Sequence, residues 1–215
     1  MTIVIAVDGD AASGKGMLAM SLARELHFDY LDTGALYRRL AYHIMENHID
    51  TDNVEGILSI MQNINFTEIL DGSVLHDDNV GKIASKIAPH KEVRNFLNEI
   101  QKRFPDGKNG AVLDGRDIGT IVLPTADVKF FITADIEVRA ERRFKQLQMM
   151  GKDIIFEQVL KDLAERDQRD RHRNISPALP GRDAFVLDTS VLNAEQVLEC
   201  ALRHVRMTLK EKLKN

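Results

Sequence analysis

The sequence predicts an α/β fold, a mostly parallel sheet wrapped by helices. Three observations carry that expectation. Short unbroken apolar runs have the texture of strands buried on both faces. Amphipathic stretches at helical spacing alternate with them, and a glycine-rich turn joins the first run to the first stretch. With 44% hydrophobic and 29% charged residues, the 215-residue chain has the balance of one large domain, with room for an insertion.

The elements follow in order. Ile3 to Val7 is β-branched and apolar and reads as the first buried strand, ending at Asp8-Gly9. Leu18, Leu22, Ala23 and Leu26 then recur at helical spacing. Tyr30-Leu31 fits a second short strand, and Leu36, Leu40, Ala41 and Ile44 mark the next helix. From Asn47 to Lys91 the texture turns polar, with hairpin-like pieces around Asp71-Gly72 and weak helical periodicity, so 47–91 is expected to be an insertion outside the sheet. Val93, Phe96, Leu97 and Ile100 form a helix, and Ala111 to Leu113 and Val128 to Ile132 are two further buried-type strands. Two polar helices are expected over Asp135 to Met149 and Phe156 to Arg169, broken near Gly151, before a last strand at Phe185 to Leu187. The final helix has Asn193 as N-cap with Gln196 three residues on, a capping-box pattern, and a stripe of Ala194, Val197, Leu198, Ala201, Leu202, Val205 and Leu209.

Composition excludes several function classes. The net charge of −4 does not suit a chain that holds duplex nucleic acid by its overall field, so any anion site must be local. The single cysteine, Cys200, rules out an internal disulfide framework and Cys-rich zinc sites. No apolar run approaches the roughly 20 residues of a spanning helix, and no basic leader with a small-residue cleavage site precedes the first strand. The expected setting is a reducing cytoplasm, without membrane or nucleic-acid partners.

Gly9-Asp10-Ala11-Ala12-Ser13-Gly14-Lys15-Gly16-Met17 contains G-x-x-x-x-G-K between a predicted strand and a predicted helix, the context a phosphate loop requires. Glycines let successive N–H groups face inward, the helix start adds unpaired N–H groups and a positive dipole end, and Lys15 adds a mobile point charge for β- and γ-phosphates. These nine residues are the expected donor-binding loop. Gly16 follows the lysine in place of a hydroxyl residue, as in the nucleoside monophosphate kinases. Met17 stands where those kinases place Thr, and its side chain supplies neither an N–H or O–H donor nor an oxygen for Mg²⁺.

Three arginine-bearing segments lie away from this loop: Thr33 to Arg38, Asp114 to Asp117 and Glu165 to Arg173. Charge of both signs at such density is often a solvated surface with weak ion pairs. Together with a phosphate loop, however, the segments suit transfer between two phosphate-bearing substrates, whose mutual repulsion arginine forks neutralise. Arg139, Arg142 and Arg143 recur on one helix, either as a solvated face paired with Glu137 and Glu141 or as a mobile positive cover for the donor. Tyr37 reads as packing.

The chain resembles the bacterial cytidylate kinases nearly end to end. The resemblance rests on the G-K-G loop, L-D-T-G-A-L-Y-R (Leu31 to Arg38), D-G-R-D-I-G-T (Asp114 to Thr120), E-R-D-Q-R-D-R-H-R (Glu165 to Arg173) and L-D-T-S (Leu187 to Ser190). It implies a P-loop kinase domain over 1–215, with 47–91 as an inserted monophosphate-binding subdomain and 145–175 as a short lid. It implies phosphoryl transfer from ATP, with Mg²⁺, to CMP or dCMP, by an expected monomer. It places Arg38 and Arg116 on the acceptor phosphate with Thr33 beside it, and Ser85, Arg94 and Asp117 on the cytosine. Arg166 and Asp170 fall at the acceptor sugar, Arg173 near them, and Arg142 on the lid side near the donor. Lys15, Arg116, Arg142 and Arg166 are the implied catalytic group. Other readings of the same residues are a P-loop kinase for UMP, AMP or shikimate, and an ATP-binding regulatory module without chemistry.

Overall fold

A computed structural model describes residues 2–66, 75 and 77–212, with side chains as far as 210. Five parallel strands, β1 (Ile3–Gly9), β2 (Asp29–Asp32), β3 (Gly110–Asp114), β4 (Val128–Thr133) and β5 (Phe185–Asp188), lie in the order β2-β3-β1-β4-β5. The central strand β1 pairs Ile5 with Val112 of β3 and with Val128 of β4. The chain leaves β1 first toward β2 and β3 and later toward β4 and β5. The carboxyl end of β1 is therefore where the topology opens a crevice for ligands.

The helices are α1 (Lys15–Leu26), α2 (Thr33–Glu46), α3 (Val54–Met61), α4 (Asp78–Ile87), α5 (Lys91–Arg103), α6 (Ile136–Met149), α7 (Phe156–His172) and α8 (Ala194–Lys212). The main core joins Ile5, Val7, Val112, Phe130 and Ile132 of the sheet to Leu18 and Leu22 of α1 and Val197, Ala201 and Val205 of α8. Here β-branched strands face the amphipathic stripes expected from the sequence. The capping box is present at α8: Gln196 N–H donates to Asn193 Oδ1 at 2.9 Å and Asn193 N–H donates to Gln196 Oε1 at 3.0 Å. Ala194, however, is exposed and lies off the buried stripe.

The stretch 47–91 contributes no strand to the sheet among the described residues. Its described part is helical, as α3 and α4, and Asp71-Gly72 lies outside the described residues. Ile57 and Met61 of α3 and Val80, Ala84 and Ile87 of α4 pack on Leu36, Leu40 and Ile44 of α2 and on Val93 and Leu97 of α5. This second apolar core shares no residue with the first. The sequence signal is weak because α3 spans only eight residues and contains Gly56.

Between β3 and β4 the chain makes one π-helical turn, Ile118–Val122. Asp8, at the end of β1, accepts the N–H groups of Ile118 and Gly119, both at 2.8 Å, and so holds the Asp114 to Asp117 segment beside the phosphate loop. Burial drives the Asp8 carboxyl up to about 7, against the opposing pull of those two amides.

Candidate functional site

The phosphate loop is built by backbone geometry. A Cβ on Gly9 would sit 2.1 Å from the Ile132 carbonyl oxygen, so only glycine lets the loop leave β1 against β4. Ala12 (φ 58°) and Gly14 (φ 89°) are left-handed, curling the loop into an anion nest that opens onto the N-terminus of α1. Ser13 Oγ donates to the Asp10 carbonyl at 3.0 Å and locks the curl. Not every residue of the expected donor loop faces a ligand: the Asp10 N–H donates to Ile132 O at 3.0 Å and is consumed by β4. Met17 is 62% exposed at the start of α1.

Lys15 projects toward Asp114, at the end of β3. Burial and the nearby Arg116 lower the Lys15 ammonium to about 8, while Asp114 holds it up. Burial raises the Asp114 carboxyl to about 6, with Lys15 pulling the other way. Tyr30 Oη donates to Asp114 Oδ1 at 3.2 Å, and Thr33 Oγ1 donates to the Asp114 carbonyl at 2.6 Å. Asp32 caps α2 through the Ala35 N–H at 3.0 Å and accepts from Arg38 Nη2 at 2.6 Å. That pair anchors Arg38 at the rim.

From Lys15 a cavity of about 230 Å³ runs toward the second core. It is lined by Lys15, Gly16, Thr33, Arg38, Ser85, Arg94, Arg116, Asp117, Arg166, Asp170 and Arg173, so every residue expected on the acceptor side lies on its wall. Arg116 Nε donates to Asp170 Oδ2 at 2.9 Å. Burial opposes the Arg116 charge, but Asp170 outweighs it and leaves the guanidinium above its ordinary value. Arg166 is pushed down to about 10 by burial and by Arg116. Burial works to raise Asp170, but Arg116 and Arg166 together hold it below the usual carboxylate range. The arginines are therefore crowded, with fewer carboxylates than cations, an arrangement that favours arriving phosphate.

At the far end Arg94 of α5 forms a buried ion pair with Asp117, donates to the Ala88 carbonyl at 3.2 Å and lies 5.9 Å over the Tyr37 ring. Around it, Ser85 Oγ, Tyr37 Oη, Arg94 Nε and Arg173 Nη2 are buried without hydrogen-bond partners. Unpaired polar atoms at the end of a cavity mark a place built for a polar ligand.

Arg142 is not on the cavity wall. Its guanidinium donates to Thr189 O at 2.6 Å and Thr189 Oγ1 at 3.0 Å, tying the segment after β5 to the phosphate loop, whose Ser13 carbonyl accepts from Thr189 Oγ1 at 3.0 Å. The solvated-face reading fails for Arg139, which is 3% exposed and bonded to Ala134 O, Ala11 O and Asp167. Glu141 pairs instead with Lys145, not with one of these arginines. Arg143 reaches Asp78 of α4 at 2.5 Å, where Lys152 also pairs at 2.7 Å, linking α6 to the helical insertion. Sequence reasoning assigns no site role to Asp8, Asp32, Asp114 or the Tyr37 hydroxyl. Their available signals are an acid closing an apolar strand and the company of Arg38 and Arg116 in their two motifs.

A parallel sheet with a phosphate loop at its central strand, facing an arginine-lined second cavity, defines the class of P-loop kinases. The crystal structure of TT1252 from Thermus thermophilus shares this fold, with a TM-score of 0.50 and 22% identity over 97% of this chain and 98% of that one. Residues 5–207 match the family model described as Cytidylate kinase, and the chain belongs to the cytidylate kinase family. It is 46% identical to the cytidylate kinase of Paramagnetospirillum magneticum, over 94% of this chain and 97% of the relative. To that of Rhodospirillum rubrum it is 45% identical, over 93% and 95%.

Proposed function

We propose that this chain transfers the γ-phosphoryl group of ATP to CMP or dCMP, giving ADP and CDP or dCDP. The observation that carries the reading is one cavity with a phosphate loop at one end and the buried Arg94–Asp117 pair, ringed by unpaired polar atoms, at the other. Cytosine offers an exocyclic amine as donor and N3 and O2 as acceptors. A carboxylate beside a guanidinium complements that edge, whereas uracil presents the reverse pattern at the two upper positions.

In the proposed reaction an acceptor phosphate oxygen forms a bond to the γ-phosphorus as the bond to the β-bridging oxygen breaks. A phosphate oxygen needs no strong base, so alignment and charge neutralisation supply the catalysis. Lys15 and the loop amides bind the donor phosphates. Arg38 and Arg116, with Thr33 beside them, hold the acceptor phosphate. Arg166 and Asp170 meet the sugar, with Arg166 also facing the transferring group, and Arg173 adds charge nearby. Ser85, Arg94 and Asp117 read the base. Arg142 acts on the donor side by fixing the Ser13 carbonyl through Thr189. The stretch 47–91 serves as the monophosphate-binding subdomain and 145–175 as the lid.

Among the described residues no group of three or more His, Cys, Asp or Glu is arranged to hold a metal ion. Mg²⁺ would enter as part of the donor substrate and supply charge to its phosphate oxygens, with Asp32 and Asp114, the acids whose charge supports Lys15, as the residues that would hold its waters. No described helix is long and apolar enough to cross a membrane. A cytoplasmic setting is the reading that the lone cysteine and a nucleotide substrate support.

Turnover with ATP and Mg²⁺ against CMP, dCMP, UMP, AMP and GMP tests the proposal. CMP and dCMP are expected to exceed UMP in kcat/KM by on the order of 10²–10⁴, because a base without the amine leaves buried groups unpaired. Comparable values for UMP would make the enzyme pyrimidine-general. A purified chain that binds ATP and phosphorylates neither these five nor shikimate would be a regulatory module.

Met17→Thr is expected to leave the acceptor KM within about twofold and stability within roughly 0.5 kcal/mol, since the replaced side chain is largely exposed. Its effect should fall on the donor KM or on the Mg²⁺ requirement, where a hydroxyl adds a polar partner. Steady-state kinetics across a Mg²⁺ titration separates the two.

A further inference from the structure

The phosphate loop carries a carboxylate of its own. Asp10 follows Gly9 directly and is 3% exposed. Its side chain accepts from Arg171 Nη2 at 2.8 and 2.9 Å and from Thr133 Oγ1 at 2.7 Å. A loop that must hold a polyphosphate gains nothing from a fixed anion. Like charges several ångströms apart in a partly buried site weaken binding by about tenfold or more.

The cation that cancels Asp10 does not come from the loop. It comes from the carboxyl end of α7, 161 residues further on, beside the Asp170 and Arg173 that line the acceptor cavity. The apolar contacts of α7, through Phe156, Val159, Leu160 and Leu163, are made to Ala140, Phe144 and Leu147 of α6 and to Ala11 of the loop. Its further ties include four ion pairs, Asp162 with Lys82, Asp167 with Arg139, Asp170 with Arg116 and Arg171 with Asp10, and the Ala178 N–H donating to the Asp170 carbonyl at 2.8 Å. Between α6 and α7 lies Gly151, left-handed at φ 72° with open space around it.

We propose that Asp10 and Arg171 make donor affinity depend on the seating of α7. With the helix seated, Arg171 neutralises Asp10, and Lys15 and the loop amides act on the donor unopposed. With the helix lifted, Asp10 becomes an unpaired anion inside the loop and drives the nucleotide out. The same helix presents Arg166 and Asp170 to the acceptor, so tight donor binding and a completed acceptor site coincide. The proposal deepens the kinase reading above and rests on it. Neither residue touches the reacting atoms; both are positioning residues.

Calorimetric dissociation constants for ADP, with no acceptor present, test this on the full chain and on Asp10→Asn, Arg171→Ala and the double variant. Arg171→Ala is expected to weaken ADP about tenfold. Asp10→Asn is expected to tighten it a few-fold, and the double variant to return within about threefold of the parent. In turnover, Asp10→Asn should lower the ATP KM and kcat together, because ADP leaves slowly. An ion pair that only stabilises the fold would weaken binding in both single variants. That result, or a double variant as weak as Arg171→Ala, overturns the proposal. If Arg171→Ala does not fold, Arg171→Gln, alone and combined with Asp10→Asn, carries the same comparison, and Arg171→Lys should stay within about threefold of the parent. A parent that binds ADP but leaves CMP untouched removes the acceptor assignment, while these constants still judge the coupling.

Discussion

Lys15→Ala is expected to lower kcat by about 10²–10³ while the fold survives. In the proposed reaction the ammonium faces the oxygens onto which charge shifts, and removing one such preorganised group costs roughly 3–4 kcal/mol in the barrier. The parent enzyme should reveal the same group through pH. With the ammonium lowered to about 8 by burial and Arg116, Lys15 is charged below that pH and neutral above it. The kcat/KM for ATP, which reports the free enzyme, should therefore fall as pH rises through about 8, and that descending limb should vanish in Lys15→Ala. Near-parental turnover by a folded variant would remove the phosphate-loop assignment.

Arg94→Ala is expected to damage stability and activity together. Arg94 and Asp117 are 4% and 5% exposed, and removing one member of a buried pair strands the other charge at a cost of about 3–5 kcal/mol. A double replacement, Arg94→Met with Asp117→Leu, should recover most of that stability, because apolar residues of similar volume remove both charges. It should not recover CMP phosphorylation, which is expected to stay down by on the order of 10³ in kcat/KM. Urea midpoints read beside acceptor kinetics separate the two effects. If the double variant still prefers CMP to UMP, the pair does not read the base.

Much of this arrangement is legible in the residues. An unbroken β-branched run can be satisfied only inside a parallel sheet, and a glycine loop ending in lysine can hardly serve another end in that context, so β1, the loop and α1 follow directly. The capping box of α8 is equally local. The acceptor wall is legible through motif resemblance, but the pairings within it are not. Arg94 meets Asp117 and Arg116 meets Asp170 across long stretches of chain, and no periodicity records which charge faces which. Arg139 shows the limit well. On a polar helix it reads as solvated, yet Asp167 and two carbonyls satisfy it in the interior. The insertion reads poorly because its short helices gain their order from packing against α2 and α5 rather than from propensity.

The two apolar cores bear on how such an enzyme can change over evolutionary time. The residues that buttress the phosphate loop are not those that support Tyr37, Ser85 and Arg94. Substitutions around Tyr37 and Ser85 fall on α2 and α4, which pack in the second core, away from the strands beneath the loop. Distant, independent sites combine with nearly additive effects on stability. Acceptor choice is thus open to revision in small steps, while the machinery that handles the donor is inherited intact.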